Sequence, residues 1–199
     1  MRRLSRGSKI VLASHNAGKL REFSSLLAES GITVVSAGEL NLPEPDETAD
    51  TFTGNAEIKA LAAARASGLP ALADDSGFCV SALGGQPGVY SARWGGPAKD
   101  MTVAMERVQR EMGETSDHAA SFVAALCLAW PDGETHSVVG ECHGQIVWPP
   151  RGEHGHGYDP MFAPEGHSRS FAEMSEHEKN AISHRGRALA LFLTECVEG

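Results

Sequence analysis

Four apolar residues, Ile10 to Ala13, lead directly into the polar run Ser14, His15, Asn16, Ala17, Gly18 and Lys19. Leu20, Phe23, Leu26 and Leu27 then recur at helical spacing until Gly31 stops them. A buried strand that turns into a helix through so short a loop is the opening of a strand–helix–strand unit, and the chain must then supply a sheet for it to join. Ile32 to Ser36 supplies the second strand, and Asn41 to Asp50 forms a loop rich in proline and acid. Thr51 to Ser67 follows as an alanine-rich helix with Ile58, Leu61 and Ala62 on one side, ended by Gly68 and Pro70. Ala71 to Ala73 then reads as a strand running into Asp74.

Glycine and proline at Gly84, Gly85, Pro87 and Gly88 mark a loop before an amphipathic helix over Lys99 to Met112. Ala119 to Trp130 and Thr135 to Trp148, rich in strand formers, flank Pro131, Asp132 and Gly133 as a long β-hairpin. Pro149 to Asp159 is a glycine- and histidine-rich loop. Ser175 to Glu178 has the form of a capping box that opens a last helical element, running to Cys196 with a break near Ser183 to Gly186. Strand–helix units beside a long hairpin predict an α/β fold with a mixed sheet. Residues 1–8 read as a disordered, frayed lead-in, because the basic Arg2, Arg3 and Arg6 precede too short an apolar run for a signal peptide, and residues 9–199 read as a single domain.

Composition narrows the function classes. The longest apolar stretches fall short of the roughly 20 residues that cross a bilayer, so no membrane span is expected. Cys79, Cys127, Cys142 and Cys196 are widely spaced without a C-x-x-C pair, which suits neither a zinc knuckle nor a disulfide framework and fits the cytoplasm. A formal net charge of -9 disfavours a protein that coats a nucleic-acid backbone. A small anionic ligand remains compatible where local basic groups or a metal offset its charge.

The candidate chemistry lies at four places. Ser14 to Lys19 stands where backbone N–H groups and the helix dipole face outward, a phosphate cradle in outline. The plainer alternative is that Ser14 or Asn16 caps the helix. It is not a Walker A loop, which requires glycine at Ala13 and a hydroxyl at Leu20. Glu44, Asp46, Glu47 and Asp50 share one loop, and Asp74 and Asp75 stand together at an expected strand end, followed by Ser76. Hard oxygen ligands in such numbers suit Mg²⁺, though acidic loops are commonly only solvated. Gly155, His156, Gly157, Tyr158 and Asp159 form a loop able to fold over a ligand with His156 or Tyr158 as a stacking platform, or a plain turn. Lys179, His184 and Arg185 ride on the last helical element, where Gly186 costs roughly 1 kcal/mol relative to alanine and hints at a break or a close approach.

Taken together, S-H-N-A-G-K at 14–19, D-E-T-x-x-T-F at 46–52, N-A-x-x-K-A at 55–60, A-D-D-S-G at 73–77, L-G-G-x-P-G-x-Y-S-A-R at 83–93, G-Y-D-P at 157–160 and E-K-N-A-I-S-H-R-G at 178–186 appear in one order. In this the chain resembles the inosine triphosphate pyrophosphatase family, the non-canonical purine (dITP/XTP) triphosphate pyrophosphatases, from Lys9 onward. The resemblance implies an elongated mixed sheet flanked by helices, two lobes with a central cleft, and a homodimer. It implies hydrolysis of ITP, dITP and XTP to the monophosphate and pyrophosphate with Mg²⁺. By motif, Ser14, His15, Asn16, Ala17, Gly18 and Lys19 would hold the phosphates, and Ser76 and Lys59 would line their path. Asp75 would be the catalytic carboxylate and a metal ligand with Glu47 and Asp46. His156, Gly157, Tyr158, Asp159, Lys179, His184 and Arg185 would grip the base. One departure is His156, where the family usually carries Phe; an imidazole offers less stacking area and ordinarily titrates near pH 6.5. The alternatives are a non-enzymatic purine nucleotide-binding module and a pyrophosphatase of similar fold acting on other nucleotides.

Overall fold

The structure, a computed structural model, describes residues 2–199. Its elements in chain order are β1 (Lys9–Leu12), α1 (Ala17–Ala28), β2 (Thr33–Ser36), α2 (Phe52–Ser67), β3 (Ala71–Val80), α3 (Met101–Met112), β4 (Ala119–Ala129), β5 (Thr135–Ile146), β6 (Phe162–Pro164), α4 (Glu176–Ile182) and α5 (His184–Cys196). The six strands hydrogen-bond in the order β2-β1-β3-β4-β5-β6. β1 runs parallel to β2 and β3, and β5 antiparallel to β6, so the fold is α/β with a mixed sheet, as the alternation of strand and helix signals predicts. Among the described residues, no helix is long and apolar enough to cross a membrane.

Backbone contacts divide the chain into two compact units. The first comprises the residues up to Asp75 with Ala125–Val139 and Ala188–Gly199; the second comprises Ser76–Ala124 and Gly140–Arg187.

The first unit has a core of small side chains. Ala56, Ala60, Ala63 and Ala64 on α2 pack with Val11, Ala71, Ala73, Ala125, Cys127 and Ala129. Alanines at i, i+4, i+7 and i+8 put Cβ atoms alone between helix and sheet, so α2 lies close against the strands. Gly68 closes the helix as its sequence suggests, with φ 70, a left-handed value that favours glycine, while Thr51, expected as the first helical residue, is instead the cap, its hydroxyl accepting from the Gly54 N–H.

The second unit is built around aromatic rings. Phe78 stacks on Tyr158 at 4.9 Å, Phe122 meets Phe162 edge-on at 5.0 Å, and Phe171 packs on both Phe122 and Phe162. Such offset and edge-to-face pairs each contribute about 0.5–1.5 kcal/mol beyond area burial. α3 closes this core with Ala104, Met105, Val108 and Met112 on its inner face and is capped by Asp100, which accepts from the N–H groups of Thr102 and Val103.

Two expectations are corrected. β3 does not stop at Asp74 but runs on to Val80, ten residues in all, so Asp74 and Asp75 lie inside a strand rather than at its end. Asp, Ser and Gly are poor strand formers, and here the ladder overrides their preference. The lead-in is also not frayed. Leu4 is 2% exposed, its N–H donates to the Cys196 carbonyl at 2.7 Å, and the Glu198 N–H donates back to the Leu4 carbonyl at 2.9 Å. An apolar side chain with an unused backbone edge on each side docks wherever a second terminus offers the same. The break in the last helical element falls at Ser183, whose ψ of 159 is extended, and it leaves two helices in place of one.

Leu4→Ala is expected to lower unfolding stability by about 2–3 kcal/mol, the usual range for a buried leucine truncation. Urea denaturation followed by circular dichroism measures this, and an unchanged midpoint would show that the segment is not docked.

Candidate active site

Strand parity arranges the acidic residues of the first unit. Ala71 and Ala73 face the alanine side of α2, so Asp75, two further on, continues that row, while Asp74 points the other way. Each aspartate accordingly finds a different cation. The Asp74 carboxylate, 8% exposed, accepts from Lys19 Nζ at 2.6 Å. Asp75 is held among Lys59, Glu47 and Asn55. Lys59 Nζ lies 3.5 Å from Glu47 Oε2 and, at four residues after Asn55, on the same row of α2.

Lys19, Asp74, Lys59 and Glu47 line a cavity of about 170 Å³ together with Ser14, His15 and Glu44, while Asp75 and Asn55 stand outside its lining. Asn16 is the cap of α1: its Oδ1 accepts from the N–H groups of Gly18 at 2.8 Å and Lys19 at 3.2 Å, and the Ser14 hydroxyl accepts from the Asn16 N–H at 3.0 Å. The capping alternative for this loop is therefore realised, yet Ser14, His15 and Lys19 still turn side chains into the cavity while Asn16, Ala17 and Gly18 remain at the helix start. His15 also reaches Glu44 at 3.9 Å, an exposed pair of little energetic weight. Asp46 is exposed and lies outside the cavity lining.

Asp75 is the electrostatic centre. Burial first, then repulsion from Glu47 and Asp74, pushes its carboxyl from 3.8 up to about 6, against the opposing charge of Lys59 and the hydrogen bond from Asn55. A divalent cation would relieve that crowding. Among the described residues no group of three or more His, Cys, Asp or Glu side chains could by itself hold a metal. Mg²⁺ takes only one or two protein carboxylates and completes its shell with water and phosphate oxygens, so the pair Glu47 and Asp75 fits it.

The residues expected at the base lie in the second unit, and the structure gives them unequal roles. Asp159, 1% exposed, accepts through Oδ2 from Lys179 Nζ and from the His156 N–H at 3.0 Å, which ties the loop to α4. Gly157 adopts φ 64, and Gly155 stands where a Cβ would collide with the Asp159 carboxylate. Tyr158 is 3% exposed; its ring lies on Phe78 and its hydroxyl donates to the Ser91 carbonyl at 2.6 Å, so it is a post of the core and presents no free face. His156, by contrast, is exposed. His184 stacks on Phe122 at 4.9 Å and 17°, and its buried Nδ1 has no hydrogen-bond partner among the described residues. Burial, then the charges of Arg185, Lys179 and His156, push its imidazole down to about 3, so it is neutral at neutral pH. Gly186 explains its own presence: a Cβ there would strike the Asn180 carbonyl, and its N–H donates to the Ser183 hydroxyl at 3.1 Å. Ser76 lies within β3 and belongs to the second unit.

Sequence reasoning missed two residues here. Glu44 was noticed only as part of an acidic loop, yet it lines the cavity. Asn55 stood in a quoted motif without a role; the signal available was its spacing of four from Lys59 on an alanine-faced helix.

Fold and site together define a class: an α/β protein with a mixed sheet whose first strand–loop–helix turn opens onto paired lysines and carboxylates. The chain belongs to the Ham1 family, whose sequence model matches residues 10–195. It is 80% identical over 198 residues to a dITP/XTP pyrophosphatase of Gluconobacter oxydans, covering 100% of this chain and 95% of that protein. It is 55% identical over 193 residues to one of Rhodospirillum centenum, covering 96% of this chain and 95% of that protein. Among solved structures, the Staphylococcus aureus Ham1 protein superposes with a TM-score of 0.89 at 37% identity, covering 94% of this chain and 97% of that one. A nucleoside-triphosphatase / dITP/XTP pyrophosphatase of Mycobacterium abscessus gives 0.80 at 43% identity, covering 93% and 98%.

The raised carboxyl of Asp75 fixes the sign of a stability effect. The folded state holds this proton more tightly than the unfolded chain, so the ionised, crowded form destabilises the protein above pH 6, and the penalty disappears as pH falls from about 6 through 3.8. Metal-free Asp75→Asn is expected to be more stable than the parent by about 2 kcal/mol at pH 7.5, with the difference closing below pH 4. Parallel denaturation series at the two pH values test this; a variant less stable at pH 7.5 contradicts the crowding argument.

Proposed function

We propose that this chain hydrolyses non-canonical purine nucleoside triphosphates, namely dITP, XTP and ITP, to the monophosphate and pyrophosphate with Mg²⁺, as a homodimer in the cytoplasm. The observation that carries the reading is the convergence of Lys19, Lys59, Glu47 and Asp74 on one cavity, with Asp75 coupled to three of them and poised near neutrality. The names of the relatives from Gluconobacter oxydans and Rhodospirillum centenum support the substrate class. Four free thiols, of which Cys127, Cys142 and Cys196 are buried, support a reducing compartment.

In this reading the lysines and the Ser14 hydroxyl receive the phosphates, with Lys19 already aimed by Asp74. Asp75 orients the attacking water by accepting a hydrogen bond from it. Mg²⁺ on Glu47 and Asp75 would neutralise charge on the phosphate oxygens as a Lewis acid. At the base end, neutral His184 offers one donor and one acceptor, and Arg185 offers donors to a C6 keto oxygen. His156 supplies an exposed imidazole face for stacking.

Incubation with ITP, with and without Mg²⁺, followed by anion-exchange chromatography decides the reaction. Inosine monophosphate with pyrophosphate is the expected product pair. Diphosphate with orthophosphate refutes it, binding without product indicates a nucleotide-binding module, and preferential turnover of pyrimidine nucleotides transfers the enzyme to another substrate class. Asp75→Asn is expected to abolish turnover while leaving circular dichroism unchanged. Arg185→Ala is expected to raise KM for ITP by roughly tenfold, the loss of about one charge-assisted hydrogen bond, with thermal stability unaltered. An unchanged KM would take Arg185 out of base recognition.

A further inference from the structure

Asn55 is 2% exposed in the first turn of α2, an unusual place for an amide. Asparagine favours caps and turns over helix interiors, and burial without partners costs about 1–3 kcal/mol for each polar group. Both ends of this side chain are engaged. Its Oδ1 accepts from the Ala49 backbone N–H at 2.9 Å, and its side chain hydrogen-bonds Asp75. The first contact determines the second: a backbone N–H can only donate, so the oxygen of the amide must face Ala49 and the NH₂ must face the carboxylate. The orientation of the amide is thereby set by chemistry rather than assumed.

Ala49 follows Glu47 by two residues in the acidic loop, so one side chain ties that loop to β3. We propose that Asn55 is a positioning residue for the cation site, its amide braced by Ala49 so as to hold Asp75 and the loop bearing Glu47 in the mutual arrangement that receives a divalent ion. This rests on the Mg²⁺-dependent reading above. Asn55 itself touches neither substrate nor metal. Its neighbours sharpen the requirement. Lys59, one turn on, supplies charge to the same carboxylates but little direction, because an ammonium is a point charge without the planar geometry of an amide. A planar amide locked at one end supplies direction without charge. Gly54 beside it is required for the same local geometry, since a Cβ there would press on Ala49 Cβ at 2.7 Å and on the Thr51 hydroxyl at 2.9 Å.

The test compares the parent protein with Asn55→Ala and with Asn55→Leu, the second preserving volume in case the first collapses. Mn²⁺ binding to the nucleotide-free protein is measured by electron paramagnetic resonance, beside the Mg²⁺ dependence of ITP hydrolysis and the ITP-to-GTP selectivity. Loss of a residue that orients metal ligands weakens binding by about 10–100-fold. The expected result is that loss in both Mn²⁺ affinity and the Mg²⁺ activation midpoint, with KM for ITP at saturating Mg²⁺ and the selectivity ratio unchanged. Folded variants that bind Mn²⁺ as the parent does overturn the inference, as do variants whose selectivity changes in step with their metal affinity. If both variants unfold, Asn55 is a structural post and the inference falls. A parent protein that neither binds Mn²⁺ nor turns over ITP defeats the functional reading itself, an outcome distinct from unaltered variants of an active parent.

Discussion

Crowding of carboxylates is the constraint around which the first unit is organised. Asp74 and Asp75 are adjacent in one strand, and Glu47 is brought to the same place from a loop. Two like charges about 4 Å apart repel by about 4 kcal/mol at an effective dielectric of 20, a large fraction of the stability of a domain. The fold disposes of this repulsion by geometry. Strand alternation separates the two aspartates onto opposite faces, where Lys19 takes one and Lys59 with Asn55 takes the other. Residual crowding survives in Asp75, and it is the part that suits a cation and a proton acceptor. The alanine face of α2 belongs to the same solution, because only a helix lying close to the sheet delivers an amide and an ammonium to a strand carboxylate.

The second unit handles its polar groups by the opposite means. Its interior is aromatic, so buried polar groups there are either fully paired or neutral. Asp159 and Lys179 are fully paired, with the carboxylate also fastening the loop through the His156 N–H. Tyr158 is hydrogen-bonded to the Ser91 carbonyl, and burial drives its phenol further from ionisation. His184 is neutral because the aromatic shelf of Phe122 and the neighbouring cations both oppose its protonation. Pairing fixes orientation, and neutrality keeps hydrogen-bonding capacity without charge.

Much of this was legible in the sequence where period and punctuation agree. The strand–loop–helix opening, the end of α2 at Gly68, the hairpin around Gly133 and the capping box at Ser175 and Glu178 all follow from local rules, and the structure has each of them. β3 was cut short because the residues that carry its chemistry are those whose propensity argues against a strand. The docked Leu4 was invisible for a different reason: its partner is Val197, almost the whole chain away, and no periodicity encodes such a pairing. Within the site, residue types were readable and their division of labour was not. Tyr158 and Asp159 stand in one motif, yet one is a core post and the other a loop clamp, a distinction set by which way the backbone turns after Gly157.

The net charge of -9 sharpens what the local lysines must do. A triphosphate approaching a protein of its own sign gains nothing from the long-range field, which is screened within about 8–10 Å at physiological ionic strength. Affinity must then come from groups met at contact, and Lys19 and Lys59 are already turned into the cavity by their carboxylate partners. Those pairs carry a second consequence. A lysine bound to a carboxylate has no net attraction for a phosphate until the carboxylate is balanced by something else, so lysine and cation act as one unit rather than two. In the proposed reading, phosphate and divalent ion would therefore enter the cavity together, each offsetting the charge that would oppose the other.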